Sequence, residues 1–277
     1  MLLAIDVGNT QTVVGLLESP GDNARSEGYS ETNANNEGRV RGIVKHWRVA
    51  TVADRTADEY GLLLFDLLRL AELDMGVVTG LAVASSVPQA SAALKESARR
   101  YFAKLPFVVI QPGVRSGIPI LYDNPKEVGA DRVANAVAAY DLYGGPTIVV
   151  DLGTATTFDA ISAKGEYLGG AITPGVDISL DALFEHAAAL RRVELVLPRN
   201  VVGRSTVESI QSGVLFGFAG LVDAICRRME QEVGKATVLA TGGLSELLVP
   251  LSERIQYREP WLTLHGLRLV FERNVSR

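Results

Sequence analysis

The chain is short of the residues that staple, chelate or carry a basic charge. Its 277 residues include one cysteine, Cys226, so no internal disulfide can form and the composition fits a reducing compartment. Cys226 lies in the apolar stretch Leu221–Met229 and reads as core. The three histidines, His46, His186 and His265, show no metal-ligand spacing and read as structural or surface groups. A basic excess is missing as well. The 27 Lys and Arg against 32 Asp and Glu leave a net charge of −5, which argues against nucleic acid as a partner, since phosphate backbones reward a basic face. No apolar run is expected to span a bilayer, and Asp6 interrupts the first apolar stretch too early for a signal peptide. The expectation is a cytoplasmic protein that does not engage a membrane. The commoner nucleotide-binding loops, G-x-G-x-x-G and G-x-x-x-x-G-K-[ST], are absent, as is the protein-kinase motif set.

What is present is a repeated phrase. Asp6-Val7-Gly8-Asn9-Thr10 follows the apolar run Leu2–Ile5, and Asp151-Leu152-Gly153-Thr154-Ala155-Thr156 follows Ile148–Val150. Each reads as a buried strand entering a tight Gly turn, with an acid at the strand end and a hydroxyl just after. An acid there can hold a hydrated hard cation. The Gly lets main-chain N–H groups approach a phosphate, and the Thr adds a donor. One copy alone is an ordinary strand-end turn. Two copies, with the same polar order and the same lead-in, point to two half-domains facing a shared phosphate site. That is the signature of an α/β fold of two similar ribonuclease-H-like half-domains with an interdomain cleft, as in the actin, hexokinase and Hsp70 ATPases. A hydrophobic content of 47% supplies enough core for one large domain or two modest ones. The expected division is residues 1–143, with the first phosphate motif and a substrate segment, and 144–277, with the second phosphate motif, an adenosine motif and dimer helices.

Along the first half, Leu2–Ile5 and Thr12–Leu16 form a hairpin around the first turn, and Glu18–Gly42 is a polar stretch that reads as a long surface loop. A strand at Trp47–Thr51 precedes a helix opened by the capping-box spacing of Thr56 and Glu59, with Leu63, Leu64, Leu67 and Leu68 on its apolar face. A strand at Val77–Val83, a helix at Gln89–Ala103, a strand at Phe107–Ile110 and a helix at Val128–Tyr140 follow. In the second half the expectation is strands at Thr157–Ile161 and Tyr167–Leu168 and a helix from Ile178. Two helices are expected within Ser205–Glu232, where Gly213, Gly217 and Gly220 make a face for close helix packing. The strand Val238–Ala240 ends in Thr241-Gly242-Gly243, which is either a plain strand-to-helix turn or, in this order after two phosphate turns, an adenosine site.

The most particular segment is Tyr122 to Arg132. Pro125 cannot sit inside a helix, so the helix begins soon after it and places Gly129, Ala130, Asp131 and Arg132 in its opening turns. The helix dipole favours Asp131 as a carboxylate. Neighbouring side chains diverge on a helix, so Asp131 can accept a hydroxyl proton while Arg132 grips an anionic group. A surface ion pair with an N-terminal acid is the alternative.

With Asp123–Arg132, Gly169–Gly175, Gly203–Thr206 and Gln211–Gly213, the two turns resemble, in order along nearly the whole chain, the motif set of type III pantothenate kinases. The resemblance implies phosphorylation of pantothenate by ATP to 4′-phosphopantothenate, the first step of coenzyme A biosynthesis, a phosphotransfer to an alcohol group. It implies Asp131 as the general base on the 4′-hydroxyl. Arg132 and the backbone of Gly129 and Ala130 would hold the substrate, and Tyr122 would line its pocket. Asp6, Val7, Gly8, Asn9, Thr10, Gln11, Thr12 and Val13 would surround the ATP phosphates, with Mg²⁺ near Asp6, and Thr154 would touch ATP. Asp151 would bind a monovalent cation, K⁺ or NH₄⁺. Thr206 would reach pantothenate across the interface of a homodimer whose active site is shared. The Glu18–Gly42 stretch is longer than the family usually carries there. Two other functions compete: a catalytically silent relative serving as a regulatory or transcription-accessory protein, and another small-molecule phosphotransferase of the same fold.

Overall fold

The computed structural model describes residues 1–18, 38–187 and 190–275. Most of the polar stretch expected as a long loop, residues 19–37, lies outside them. Contacts divide the described chain into two compact units. The first takes Met1–Glu18, Arg39–Leu142 and Trp261–Val275, and the second takes Gly38 and Tyr143–Pro260.

The first unit is one five-stranded sheet in the order β3-β2-β1-β4-β5. Its strands are β1 (Leu2–Val7), β2 (Gln11–Leu17), β3 (Ile43–Ala50), β4 (Gly80–Ser85) and β5 (Phe107–Val109), and its helices are α1 (Ala57–Leu70), α2 (Pro88–Tyr101), α3 (Ala130–Tyr143) and the C-terminal α7 (Leu262–Val275), with only Tyr143 of α3 assigned to the second unit. The β1–β2 and β2–β3 pairs are antiparallel, whereas β1–β4 and β4–β5 are parallel, with α1 and α2 in the connections that lead into β4 and β5. β1 and β4 are apolar almost throughout because both faces are covered. Thr56 caps α1 with its side chain accepting from the Glu59 N–H, and Glu59 reaches back to Thr56, as the spacing predicted. Leu64, Leu67 and Leu68 are buried, and Leu63 packs partly against the same core. Val77 ends a 3₁₀ turn, and the strand expected from there begins at Gly80, three residues later.

Leu262, Leu264, Leu267 and Val270 of α7 are buried against β1 and β4. The terminal helix therefore joins the first unit, whereas the sequence reading carried the second half to residue 277. Trp261, just before α7, stacks on His46 of β3 with ring centroids 4.0 Å apart. His265 is buried and bonded through Nε2 to Asp141 at 2.9 Å, with Arg268 on its other nitrogen at 2.8 Å, a structural role.

The second unit repeats the plan. Its sheet runs β10-β9-β6-β7-β8, which is the first order read from the other edge. The strands are β6 (Thr147–Leu152), β7 (Ala155–Ile161), β8 (Tyr167–Pro174), β9 (Thr237–Thr241) and β10 (Tyr257–Arg258), and the helices are α4 (Val176–His186), α5 (Thr206–Val233) and α6 (Ser245–Leu248). β8 does not stop at Leu168. It continues through Gly169 and Gly170 because every residue to Pro174 but one finds a partner on β7.

α5 is one helix of 28 residues rather than two. Gly213, Gly217 and Gly220 do not break it, since Ile210, Leu215, Val222 and Cys226 hold its other face in the core. The three glycines are exposed, and a Cβ at any of them would meet nothing within 4 Å, so they pack against nothing among the described residues. By length and composition α5 could cross a membrane, contrary to the expectation that no segment could. Its buried stripe makes it the core helix of this unit, and Asp223 on that stripe accepts from the N–H groups of Glu253 and Arg254 at 3.0 and 3.1 Å. Burial pushes the Cys226 thiol up to about 12, which leaves it an inert core group.

Candidate active site

Both Asp-x-Gly turns expected to bind phosphate stand at the carboxyl end of a central strand. Asp6 pairs with Val13 on one side and Ala84 on the other, and Asp151 pairs with Thr157 and Thr241. In the first turn the Gly8 N–H donates to the Gln11 carbonyl at 3.0 Å; in the second the Gly153 N–H donates to Ala155 at 3.2 Å. Asn9, Thr10 and Gln11 are exposed, Val13 is half-buried, and Val7 and Thr12 turn their side chains into the core, so Val7 offers a ligand only its main chain. Thr154 is exposed at the tip of the second turn.

Three residues that sequence reasoning missed support the first turn. Thr51, one residue past β3, donates its hydroxyl to the Gly8 carbonyl at 2.8 Å and its N–H to the Thr10 carbonyl at 3.0 Å. Arg48 of β3 donates to the Gln11 side-chain oxygen at 2.9 Å. Ser86, one residue past β4, donates its N–H to the Val7 carbonyl at 2.9 Å and its hydroxyl to Asp131 Oδ2 at 3.4 Å. The signal available in the sequence was position: Thr51 and Ser86 each follow directly on a strand that flanks the turn, and Arg48 lies within the last three residues of β3.

Asp131 is thereby tied to the first turn within one unit. The Asn124 side chain and the 3₁₀ turn Pro125–Glu127 order the approach, with Asn124 accepting from the Lys126 N–H at 3.3 Å. α3 then opens at Ala130. Asp131 is half-buried, and its Oδ1 accepts from the Arg132 N–H at 2.8 Å. Arg132, the next residue, is buried. Tyr122, Gly129 and Ala130 are half-buried beside this opening turn in sequence.

In the second unit, Gly242 has φ of +89°, and a Cβ there would lie 2.6 Å from Asp151 Oδ1 and from the Leu152 carbonyl carbon. Only glycine lets the Thr241–Gly243 backbone come so close to the acid. Thr206 is exposed at the first position of α5 behind the Ser205 cap, and borders an apolar cavity of about 370 Å³ with Leu183, Leu190, Ile210 and Val214.

Among the described residues no three His, Cys, Asp or Glu side chains gather as a metal cluster. Asp6 and Asp151 are each a single carboxylate beside turn main chain. That donor set fits an ion that takes its other ligands from phosphate oxygens and water, the usual habit of Mg²⁺ at a nucleotide, rather than a protein cage.

Residues 2–228 match the family model described as type III pantothenate kinase. The chain belongs to the type III pantothenate kinase family. Relatives of that name from Streptomyces griseus and Moorella thermoacetica are each 50% identical, over 100% of both chains in the first case and over 99% of this chain and 100% of the relative in the second. A relative from Anaeromyxobacter is 51% identical over 99% of this chain and 100% of its own length. Among solved structures, a ROK-family glucokinase of Streptomyces griseus aligns at a TM-score of 0.50 with 14% identity, covering 99% of this chain and 98% of its own. A Campylobacter jejuni protein described as a Baf-family transcriptional activator aligns at 0.58 with 16% identity and 98% of each chain. At those identities the two structures speak for the fold alone, which is that of the sugar kinases. Membership in a kinase family brings with it ATP and a divalent metal ion.

Proposed function

We propose that the chain carries out its family's reaction through Asp131. As a type III pantothenate kinase it phosphorylates pantothenate with ATP in coenzyme A biosynthesis. The 4′-hydroxyl oxygen attacks the γ-phosphorus, the bond from that phosphorus to the ADP oxygen breaks, and the hydroxyl proton passes to the Asp131 carboxylate. The single observation that supports this assignment is the path from Asp131 through Ser86 to the carbonyl of Val7, which keeps the Asp131 carboxylate beside the turn that follows β1. Phosphoryl transfer asks little covalent chemistry of the protein and depends on such positioning.

Arg132 and the main chain of Gly129 and Ala130 hold pantothenate, and Tyr122 lines its pocket. Asp6 to Val13 surround the ATP phosphates, Thr154 touches ATP, and the strand-end turn Thr241–Gly243 takes the adenosine. Asp6 would hold Mg²⁺ through the ATP phosphates, and the ion would offset the negative charge of the transferring oxygens. Asp151 binds a monovalent cation, K⁺ or NH₄⁺, beside the Gly242 backbone that approaches it closely. On this reading the first unit supplies the base and the substrate segment. The second supplies the cation site, the adenosine turn and the dimer helices.

The chain works in the cytoplasm as a homodimer in which Thr206 of one subunit serves the pantothenate of the other. An uncovered face supports the dimer: Gly213, Gly217 and Gly220 of α5 are exposed, and among the described residues nothing lies within 4 Å of a Cβ placed on any of them. Such a face on one surface of a subunit suits self-association. The test is an ATP-consumption assay with pantothenate against a panel of sugars, with and without K⁺. The expected result is ADP formation that depends on pantothenate and rises with K⁺. Turnover on a sugar instead, or none with pantothenate, overturns the assignment.

A further inference from the structure

We infer that Thr51 is a positioning residue that aims the first phosphate turn at its ligand. Its hydroxyl carries one hydrogen, and that hydrogen goes to the Gly8 carbonyl at 2.8 Å. In the 2.8 Å contact between the hydroxyls of Thr12 and Thr51, Thr12 must therefore be the donor. Thr12 is buried, so the chain of bonds runs outward from the core, from Thr12 to Thr51 to Gly8. The Thr51 N–H meanwhile takes the Thr10 carbonyl at 3.0 Å. One residue thus holds two of the three carbonyls of the Gly8-Asn9-Thr10 turn.

The consequence lies on the opposite side of the turn. The Gly8–Asn9 peptide is trans, and in a trans peptide the carbonyl and the following N–H point in opposite directions. With the Gly8 carbonyl fixed on Thr51, the Asn9 N–H is aimed to the other face, where Asn9 is exposed. A donor held in place before the ligand arrives stabilises a phosphate oxygen without reorganisation, and a freely rotating peptide does not. Thr51 itself touches no substrate. The inference rests on the reading that Asp6–Val13 surround the ATP phosphates.

The test is Thr51→Val, which keeps the shape and removes the hydroxyl, beside Thr51→Ser, which keeps the hydroxyl. The expected result is an ATP KM raised roughly tenfold in T51V, the scale of one buried carbonyl losing its partner. T51S should stay within about two-fold of wild type, and the pantothenate KM should move by less than about two-fold in both. If T51V does not fold, Thr51→Cys against T51S asks the same question at matched size, and T51C should then raise the ATP KM. An ATP KM unchanged in the hydroxyl-free variant, or a pantothenate KM that rises equally, overturns the role of Thr51. Failure of the underlying reading is separate, because it would appear in the unmodified chain as an absence of ATP-dependent turnover.

Discussion

Thr51 and Gly175 occupy the same place in the two units. Each follows the outer strand of its antiparallel trio, and each donates its N–H to the carbonyl of the threonine in the phosphate turn, Thr51 to Thr10 at 3.0 Å and Gly175 to Thr154 at 3.1 Å. The closures then part. In the first unit Val7 pairs with Thr12, but in the second Leu152 pairs with Thr156, so the first turn is one residue longer. The extra residue leaves a further carbonyl to satisfy, and the Thr51 hydroxyl satisfies it. The shorter turn leaves no room for any side chain: a Cβ on Gly175 would stand 2.3 Å from the Thr154 oxygen and 2.5 Å from that of Gly153. A duplicated fold has thus kept one main-chain bond and changed what surrounds it, bracing the longer turn with a side chain and closing the shorter one on bare backbone.

The sharpest way to break the symmetry is chemical. Asp131 has no counterpart in the second unit, so Asp131→Asn should lower kcat by roughly 10²–10⁴-fold, the range for a positioned base, while the melting temperature stays near wild type. Activity within a few-fold of wild type would remove Asp131 from the base role. Asp151→Ala separates the two strand-end acids. Steady-state rates measured against KCl in Na⁺ buffer should lose their rise with K⁺ and fall at least about tenfold, the loss that even an outer partner of an ion site produces. A variant that still responds to K⁺ would place the cation away from the second turn.

Exchanging the closures tests the comparison directly. Gly175→Thr puts the first unit's residue into the second unit, where it meets backbone, and should cost about 1–3 kcal/mol of stability by overpacking. Thermal unfolding reads this as a fall of several degrees. An unchanged melting temperature would mean that the second turn has slack the geometry does not show.

The smallest effect concerns how each unit secures its helices. The first ties α1 to α2 on the surface. Bonds from Arg99, then Arg100, hold the Glu96 carboxyl down at about 2 against an ordinary 4.5, and Asp58 is lowered by Tyr101 and by Arg100. The second unit instead buries α5. A carboxyl lowered on folding adds stability that is fully present above its unfolded value and is lost as pH falls through its folded one. Glu96→Gln should therefore lower the melting temperature slightly at pH 7, and the two proteins should converge as the pH falls from about 4.5 towards 2. Asp58, Arg99 and Arg100 are exposed and Glu96 is only half-buried, so the effect is small. A constant gap down to low pH would show that the ion pairs are not its source.

Much of this was legible in the chain. The two Asp-x-Gly turns, the capping box at Thr56 and the helix opening after Pro125 are local signals, each set by a few adjacent residues. What escaped is non-local. Thr51 reads only as the last residue of a strand, and it acquires its role only because β3 pairs with β2 in a register that brings Ala50 opposite Gln11. Gly169 and Gly170 look like a strand end until β7 supplies partners. Ser205–Glu232 looks like two helices until the core on one face holds it as one across its three glycines. α7 follows the second unit in sequence, yet its buried leucines find their surface on β1 and β4.

The scarcity of two residue types also gives the molecule a separate reporter for each unit. Both tryptophans, Trp47 and Trp261, belong to the first unit, and the lone thiol is sealed in the second. Intrinsic fluorescence therefore follows one sheet, and reaction of Cys226 with a thiol reagent follows the other, with no label or added probe. In a denaturant series the two signals would coincide if the halves melt as one and separate if they melt apart, so this chain can report the cooperativity of a duplicated fold from its native residues.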